Sequence, residues 1–406
     1  MKILQVSHRV PYPLNEGGTI GIYNYTRGFS EAGHEVTLLA LNGKKHQIDL
    51  KNAAAELKKY CKFYAFDIDT GVKPLHALLN LFTNKSYNVS RFYDSNFKRF
   101  LSHLLKSETF DIIQVEGTFV AMYYDVIRKY SVAPIVLRQH NVEYQIWKRM
   151  ATNETNILKK WYLNLLAKRL KNFEKEFTVK FDALVPVTLD DAELFKNLGF
   201  HKPIFVSPAG IDTKYWQPTP DLENAFHVFH LGSLEWAPNR EAVMWFIKEV
   251  WPKIISLDKR FKLFIAGKNM PDAMKAMKIE NIEMVGEVKN GSEFICDKAT
   301  TVVPLLSGSG IRLKILEAMA AAKLVISTTI GAQGINYTNG NHLIIADSPE
   351  EFETIFKKIS DNPKSYDEVK QSGYNLIRSQ YANAAVVKNL LDFYASFNSS
   401  IRSKTP

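Results

Sequence analysis

The chain is 406 residues long, more than one compact core holds, so two domains are expected. Its 46% hydrophobic and 23% charged residues are those of an ordinary globular protein, and two cysteines, Cys61 and Cys296, far apart and without metal spacing, exclude a disulfide framework. A net charge of +10 with no basic–aromatic nucleic-acid module argues against nucleic acid; an anionic membrane surface or a phosphate-bearing substrate fits better, and a generally basic surface fits as well.

Lys2–Ser7 (KILQVS) reads as a buried strand, and His8 and Arg9 cut the apolar run too short for a signal peptide. Nowhere do apolar residues run for the roughly 18 positions that suggest a membrane span. A cytoplasmic protein is therefore expected, bound at most peripherally to the inner face of the cell membrane. The loop PYPLNEGGTIGIYN leads into a helix ending near Gly33, and 33–41 (GHEVTLLAL) is a second strand. This is a strand–helix–strand unit of the nucleotide-binding kind. No G-x-G-x-x-G follows the first strand, so it is not a dinucleotide fingerprint. Gly17 and Gly18 sit ahead of the helix, where paired glycines serve either a close ligand approach or a turn needing positive φ.

Residues 73–105 read as helical, with the aromatics of RFY (91–93) assigned to core in preference to an acceptor groove or lipid contact. The segments 111–116 (DIIQVE) and 133–139 (APIVLRQ) are strands. The second runs into His140, Asn141 and Glu143, just past the carboxyl end of a parallel strand, where such sheets bind ligands. Glu143 is either a partner of His140 or a helix N-terminal charge. The segment 158–182, containing KRLKNFEKEF, is a long helix with a solvated charged face, a membrane patch being the second reading. A strand at 183–187, a helix at 189–198 and a strand at 203–206 close a first domain, 1–206. The turn-rich SPAGIDTKYWQPTP, 207–220, is a linker.

A second domain, 221–380, opens with a strand at 227–231, then Gly232 and Ser233, and a helix from near Asn239. Strands at 261–267 and 282–288 follow. The most informative stretch is VVPLLSGSGIRLKILEAMAAAKLVIS, 302–327: a strand, a Gly/Ser loop (Ser307, Gly308, Ser309, Gly310), a helix over 311–322, and a strand at 324–327. A glycine-rich loop opening a helix aims unpaired backbone N–H groups and the positive end of the helix dipole at one spot, which suits a phosphate. Leu313, Leu316 and Ala320 recur at helical spacing as the buried face, with Glu317 among them. A carboxylate there needs a hydrogen-bonding partner: a sugar hydroxyl pair, or Lys314 or Arg312 if it turns to the rim. A last strand at 343–346 and helices at 349–360, 366–379 and 384–397 complete the chain, with 381–406 read as a final helix and tail and 399–406 as unordered.

The stretch 302–327 closely resembles the donor-binding motif of retaining glycosyltransferases of the GT-B fold, family 4-like (group 1). That motif has a Glu, seven residues, and a second Glu followed by Ala-Met-Ala; here the second is Glu317 in EAMA, and Ser309 stands where the first would be. The resemblance implies an α/β fold of two Rossmann-like doubly wound domains facing a cleft, the last helix crossing back onto the first domain. It also implies a nucleotide-diphosphate sugar as donor, a glycan or lipid-linked glycan as acceptor, and neither cofactor nor metal. By resemblance, Glu317 binds the ribose, Gly18, Gly232, Ser233, Gly308, Gly310, Ile311 and Lys314 approach the donor, and Val288 lies against the base. His140, Ser309 and Arg312 are placed at the reacting centre, and Gly17, Asn141 and Glu143 on the acceptor side. Relatives often carry Arg and Lys after the strand at 227–231; this chain has Glu235 and Trp236, with Arg240 beyond, so Arg312 or Lys314 would meet the diphosphate charge. The alternatives weighed are a nucleotide-sugar epimerase and a non-catalytic nucleotide-binding assembly protein.

Overall fold

The computed structural model describes residues 1–14, 17–44, 47–71, 73, 78–307 and 311–402. Two compact units form, Met1–Ala209 with Val386–Pro406, and Gly210–Ala385. In the first unit β1 (Lys2–Ser7), β2 (Glu35–Gly43), β3 (Lys62–Ile68), β4 (Ile112–Glu116), β5 (Ile135–Gln139) and β6 (Ala183–Pro186) pair in the order β3-β2-β1-β4-β5-β6, every pair parallel. Side chains alternate between two cores. Leu4, Val6, Ile113, Val115 and Leu137 enter one, and Ile3, Leu38, Ile112 and Val136 the other. Burial on both faces is why these strands read as near-continuous apolar runs.

The second face is covered by the helices Gly17–Glu31 and Asn383–Arg402: Tyr25 and Phe29 of one join Val387, Leu390 and Tyr394 of the other. The two approach closely at Gly28, where a Cβ would lie 2.4 Å from Val387 Cγ2. Val387 is β-branched and has little rotamer freedom to yield. Gly28→Ala is therefore expected to destabilise the protein by about 1–3 kcal/mol, read as a lower urea midpoint. An unchanged midpoint would mean that the helices part without cost.

In the second unit β7 (Asn224–Leu231), β8 (Lys262–Ala266), β9 (Ile282–Gly286), β10 (Lys298–Val303), β11 (Leu324–Ser327) and β12 (Ile344–Ile345) pair in the order β12-β11-β10-β7-β8-β9, again all parallel. Val228, Leu263, Val302 and Ile326 face one core, and Phe229, Val303, Val325 and Leu316 the other. The expected α/β class with doubly wound parallel sheets is what forms. In each sheet the strand order reverses beside the unit's first strand, between β1 and β4 and between β7 and β10. The carboxyl ends of those pairs are the switch points at which such sheets bind ligands.

Several expectations change. β3 (KFYAFDI) and the helix Leu50–Leu57 carried no reading as elements. Segment 203–206 is no strand; only Ile204 bridges to Leu184. Residues 73–105 are helical in part, with a short helix Tyr87–Ser90 ahead of the helix Ser95–Ser107, and 74–77 lie outside the described residues. The break between the two units, Ala209 to Gly210, falls in the stretch 207–220 read as a linker, and within that stretch Ile211 and Trp216 are buried in the second unit's core. The last helix continues to Arg402, into the segment expected to be unordered.

Candidate active site

At the first switch point Ser7 ends β1 in register with Glu116 at the end of β4, and Glu116 pairs in turn with Arg138 on β5. Past these ends lie His8, Arg9, Gly117 and His140. Glu116 is fully buried, and four side chains converge on its carboxylate. Its Oε2 lies 2.8 Å from His140 Nε2 and 3.0 Å from Arg138 Nη1, while Oε1 accepts from Gln114 Nε2 at 2.5 Å and Gln5 Nε2 at 3.4 Å. Burial alone would raise the Glu116 carboxyl, but the Arg138 guanidinium with the hydrogen bonds from His140 and Gln114 outweighs it and holds the group at about 2. Burial, reinforced by Arg138, keeps His140 below its ordinary range; burial, Arg9 and His140 bring His8 down to about 3.

Both imidazoles are thus neutral near pH 7, and their tautomers follow from their partners. His8 Nδ1 lies 2.8 Å from the backbone oxygen of Glu116 and donates to it. His140 Nε2 donates to the acceptor-only carboxylate; that contact is shorter than the 3.3 Å to Arg138 Nη1. The Nδ1 of His140 is then the ring nitrogen that carries the lone pair. Gly117, at φ +86°, must stay a glycine, since a Cβ would also sit 3.3 Å from His8 Nδ1. A Cβ at Gly18 would lie 3.6 Å from Arg9 Nη1, which places this glycine beside the cluster. Below the carboxylate, Tyr394 OH donates to Gln114 at 2.5 Å and Thr26 Oγ1 to Gln5 at 2.7 Å, so the first and last helices both brace it.

Glu143 begins the helix Glu143–Asn153, and the carboxylate on His140 is that of Glu116 instead. The N–H groups of Glu143 and Tyr144 donate to buried Glu174, at 3.0 and 3.1 Å, and Thr118 donates to it at 2.9 Å. Burial pushes both Glu143 and Glu174 up to about 7, the side-chain bond from Asn141 opposing it at Glu143. KRLKNFEKEF is therefore not simply a solvated face: Arg169 and Glu174 point inward.

At the second switch point Gly232 and Ser233 follow β7. His230 Nδ1 donates to Val302 O of β10 at 2.9 Å, which leaves Nε2 as an acceptor 3.3 Å from Lys314 Nζ. That ammonium also donates to Asn239 Oδ1 at 2.9 Å, and Asn239 Nδ2 to Ser233 O at 2.7 Å. A Cβ at Gly232 would lie 2.4 Å from Lys314 Nζ, so glycine is what lets the cation reach this strand end. Arg312 is buried with its guanidinium 5.3 Å from the Trp236 ring. Arg240 donates to the carbonyls of Leu234 (2.8 Å) and Glu235 (2.5 Å).

The helix begins at Leu313, later than expected, with Arg312 at its N-cap. Its buried face is Ile315, Leu316, Ala318, Met319 and Ala320; Leu313 and Glu317 are half-buried at the rim, and Ile311 packs on the same core. Among the described residues no side chain hydrogen-bonds the Glu317 carboxylate. Burial raises Glu317 to about 7 against the pull of Lys314; burial and Arg312 lower Lys314 to about 7 against the pull of Glu317. Half-buried Val288 follows β9 at the same carboxyl edge. Gly308, Ser309 and Gly310 lie outside the described residues. Glu116, Arg138, His8, His230 and Asn239 are the additions that sequence reading missed; their signal was a polar residue closing or following an apolar strand, or opening the next helix.

Residues 16–215 match the family described as Glycosyltransferase Family 4, and residues 225–362 that described as Glycosyl transferases group 1. An uncharacterized 44.6 kDa protein in the cps region of Klebsiella pneumoniae is 26% identical over 402 residues, 96% of this chain and 98% of that protein. Among solved structures, Anabaena HepE in complex with UDP aligns with a TM-score of 0.65 at 11% identity, over 98% of this chain and 100% of its own. A glycosyltransferase from Rickettsia africae aligns at 0.64 and 15% identity, over 98% of each chain. The sucrose-phosphate synthase of Thermosynechococcus elongatus aligns at 0.64 and 12%, over 98% of this chain and 100% of its own.

Proposed function

The chain belongs to the family 4-like glycosyltransferases of the GT-B fold, and from that premise we propose that it transfers a sugar, with retention, from a nucleoside-diphosphate sugar to a hydroxyl of a glycan or lipid-linked glycan in cell-surface polysaccharide synthesis. As a transferase it is an enzyme, which removes the non-catalytic assembly reading. The observation that carries the proposal is the second switch point, where a cation, Lys314, beside Gly232, lies one helical turn from Glu317, a carboxylate that no side chain among the described residues hydrogen-bonds. Glu317 suits the paired hydroxyls of a ribose, and Lys314 and Arg312 suit the diphosphate. UDP is bound in the Anabaena relative, and the Klebsiella relative comes from a cps region; both support the direction of the reading.

In the proposed reaction the bond between the anomeric carbon and the diphosphate oxygen breaks and one to the acceptor oxygen forms on the same face. The acceptor proton passes to the departing phosphate oxygen. Lys314, Arg312 and the N-terminal end of the helix Leu313–Ala320 stabilise the negative charge that develops there. His140, with its Nδ1 lone pair, orients a sugar hydroxyl and is not required as a nucleophile. The test is the anomeric proton coupling of the product by NMR. An α-linked donor is expected to give an α-linked product, and a β-linked product would overturn retention.

The cation makes donor binding depend on pH. In the empty site Lys314 sits at about 7 through burial and Arg312, so it loses its proton as pH rises above that value. A diphosphate binds the protonated form and raises this pKa, so binding takes up a proton. Affinity for UDP is expected to fall by up to about ten-fold per pH unit above neutrality, and Lys314→Gln to flatten the profile. Calorimetry in buffers of different ionisation enthalpy measures the net proton count, to which Glu317, also at about 7, adds a release as its charged form is bound; a count that is the same in the wild type and Lys314→Gln would contradict the assignment.

A further inference from the structure

The helix Ile157–Thr178 starts with a turn that no core covers: Ile157 is 82% exposed, Leu158 79% and Trp161 59%, and Lys159 and Lys160 between them are exposed too. The turn is well formed, since the Asn156 side chain accepts from the Lys159 N–H at 3.0 Å and the Glu154 carboxylate accepts from the N–H groups of Thr155 and Asn156 at 3.1 Å. Further along the same helix, Arg169 donates to the backbone oxygens of Asn80 (2.9 Å) and Leu81 (3.0 Å). That contact pins a second exposed apolar segment to the helix, in which Leu78 and Leu79 stand out and Phe82 is 85% exposed. Apolar side chains held out from a helix in this way cost free energy in water unless something covers them.

We propose that the exposed apolar side chains of the helix Ile157–Thr178, those of its first turn together with the segment that Arg169 holds to it further along, dock on an anionic lipid bilayer. Charge complementarity selects the occupant. Exposed Lys148 and Arg149 precede the turn in the chain, exposed Lys159 and Lys160 lie within it and exposed Lys168 follows on the same helix, while the Glu154 carboxylate just before it pairs with Lys159 at 2.6 Å. Aliphatic side chains and a Trp interleaved with lysines within one turn match the boundary between acyl chains and anionic headgroups, where the indole and ammonium groups both find partners. A symmetric pairing of two copies through this face would set these bases against their equivalents. The inference rests on the lipid-linked-acceptor reading for its purpose, since docking would bring the enzyme to such an acceptor, but its evidence is independent of the donor site.

The test is co-flotation with vesicles of phosphatidylcholine alone or mixed two to one with phosphatidylglycerol. The wild type is expected to float with the mixed vesicles, less so at raised salt, and not with phosphatidylcholine alone. L158S/W161S and K159E/K160E are each expected to weaken flotation by roughly ten-fold or more. Their melting temperatures and the melting shift produced by UDP are expected to match the wild type, which separates loss of docking from loss of the donor site. Wild type that stays in solution with mixed vesicles overturns the proposal, as do variants that float as well as the wild type. Concentration-dependent self-association abolished by L158S/W161S would give the surface to a second copy and also overturn it.

Discussion

Glu116→Gln is expected to destabilise the protein by about 3–5 kcal/mol, because it leaves the buried Arg138 guanidinium without its counter-charge. Arg138 and Glu116 are both almost fully buried and 3.0 Å apart. The Tyr25 ring, 4.2 Å from the guanidinium carbon, cannot replace a carboxylate. The same change replaces one of the two acceptor oxygens by an NH2 donor, so the one remaining oxygen cannot serve both Arg138 and Gln114 and also fix His140 as its Nε2–H tautomer, and turnover is expected to fall on the order of 100-fold. UDP affinity is expected to stay at the wild-type value, since the nucleotide is assigned to the second unit. The sign of the pH effect follows from the carboxyl being held at about 2, below its ordinary value. The stability it contributes is present above the unfolded-state pKa and is lost as pH falls through the folded one. Glu116→Gln is therefore expected to weaken the dependence of the urea midpoint on pH in the acid range. A midpoint within about 1 kcal/mol of wild type, a value typical of an exposed pair, would contradict a buried, energetically committed one.

Glu317→Ala is expected to act in the opposite sense on stability. Its carboxylate is half-buried, raised to about 7 by that burial, and receives no side-chain hydrogen bond from the described residues. Removing it relieves a desolvation cost, so the empty protein is expected to be as stable as the wild type or slightly more so. Nucleotide affinity is expected to drop about 100-fold, the loss of two charge-assisted hydrogen bonds to ribose hydroxyls of about 1.5 kcal/mol each. A residue kept for folding would show the reverse pair of effects. Stability lost with affinity retained would return Glu317 to the structural role of pairing with Lys314.

What the sequence shows of this fold follows from how each strand is buried. β1, β2, β4 and β5 are apolar on both faces and read as strands at once. β3, at the sheet edge, is only half-buried, and KFYAFDI mixes charge and aromatics in no clear period. β10 (KATTVV) is wholly buried although it opens with a lysine, because Lys298 lies over the Phe264 and Phe294 rings and bonds Asp297, while Thr301 donates to Phe229 O. Such compensation is tertiary and leaves no local trace. His140 and Glu317 stood out because each places a polar group where the local pattern is apolar. Glu116 and Asn239 did not: Glu116 meets His140 across 24 residues of sequence, and Asn239 meets Lys314 across 75. Parallel pairing of β4 with β5, and of β7 with β10, creates those contacts.

The account stands most directly on a nucleotide-sugar site in the second unit, and thermal melting of wild type and Glu317→Ala against UDP-, GDP- and ADP-sugars tests it. A ligand at a hundred times its Kd adds about 2.7 kcal/mol of stability. The predicted result is a clear rise in melting temperature with one nucleotide class in the wild type, and a rise cut to about 0.4 kcal/mol of stabilisation in Glu317→Ala at the same concentration. A folded wild type whose melting temperature moves with none of the three, or a variant that shifts as far as the wild type, would contradict the assignment.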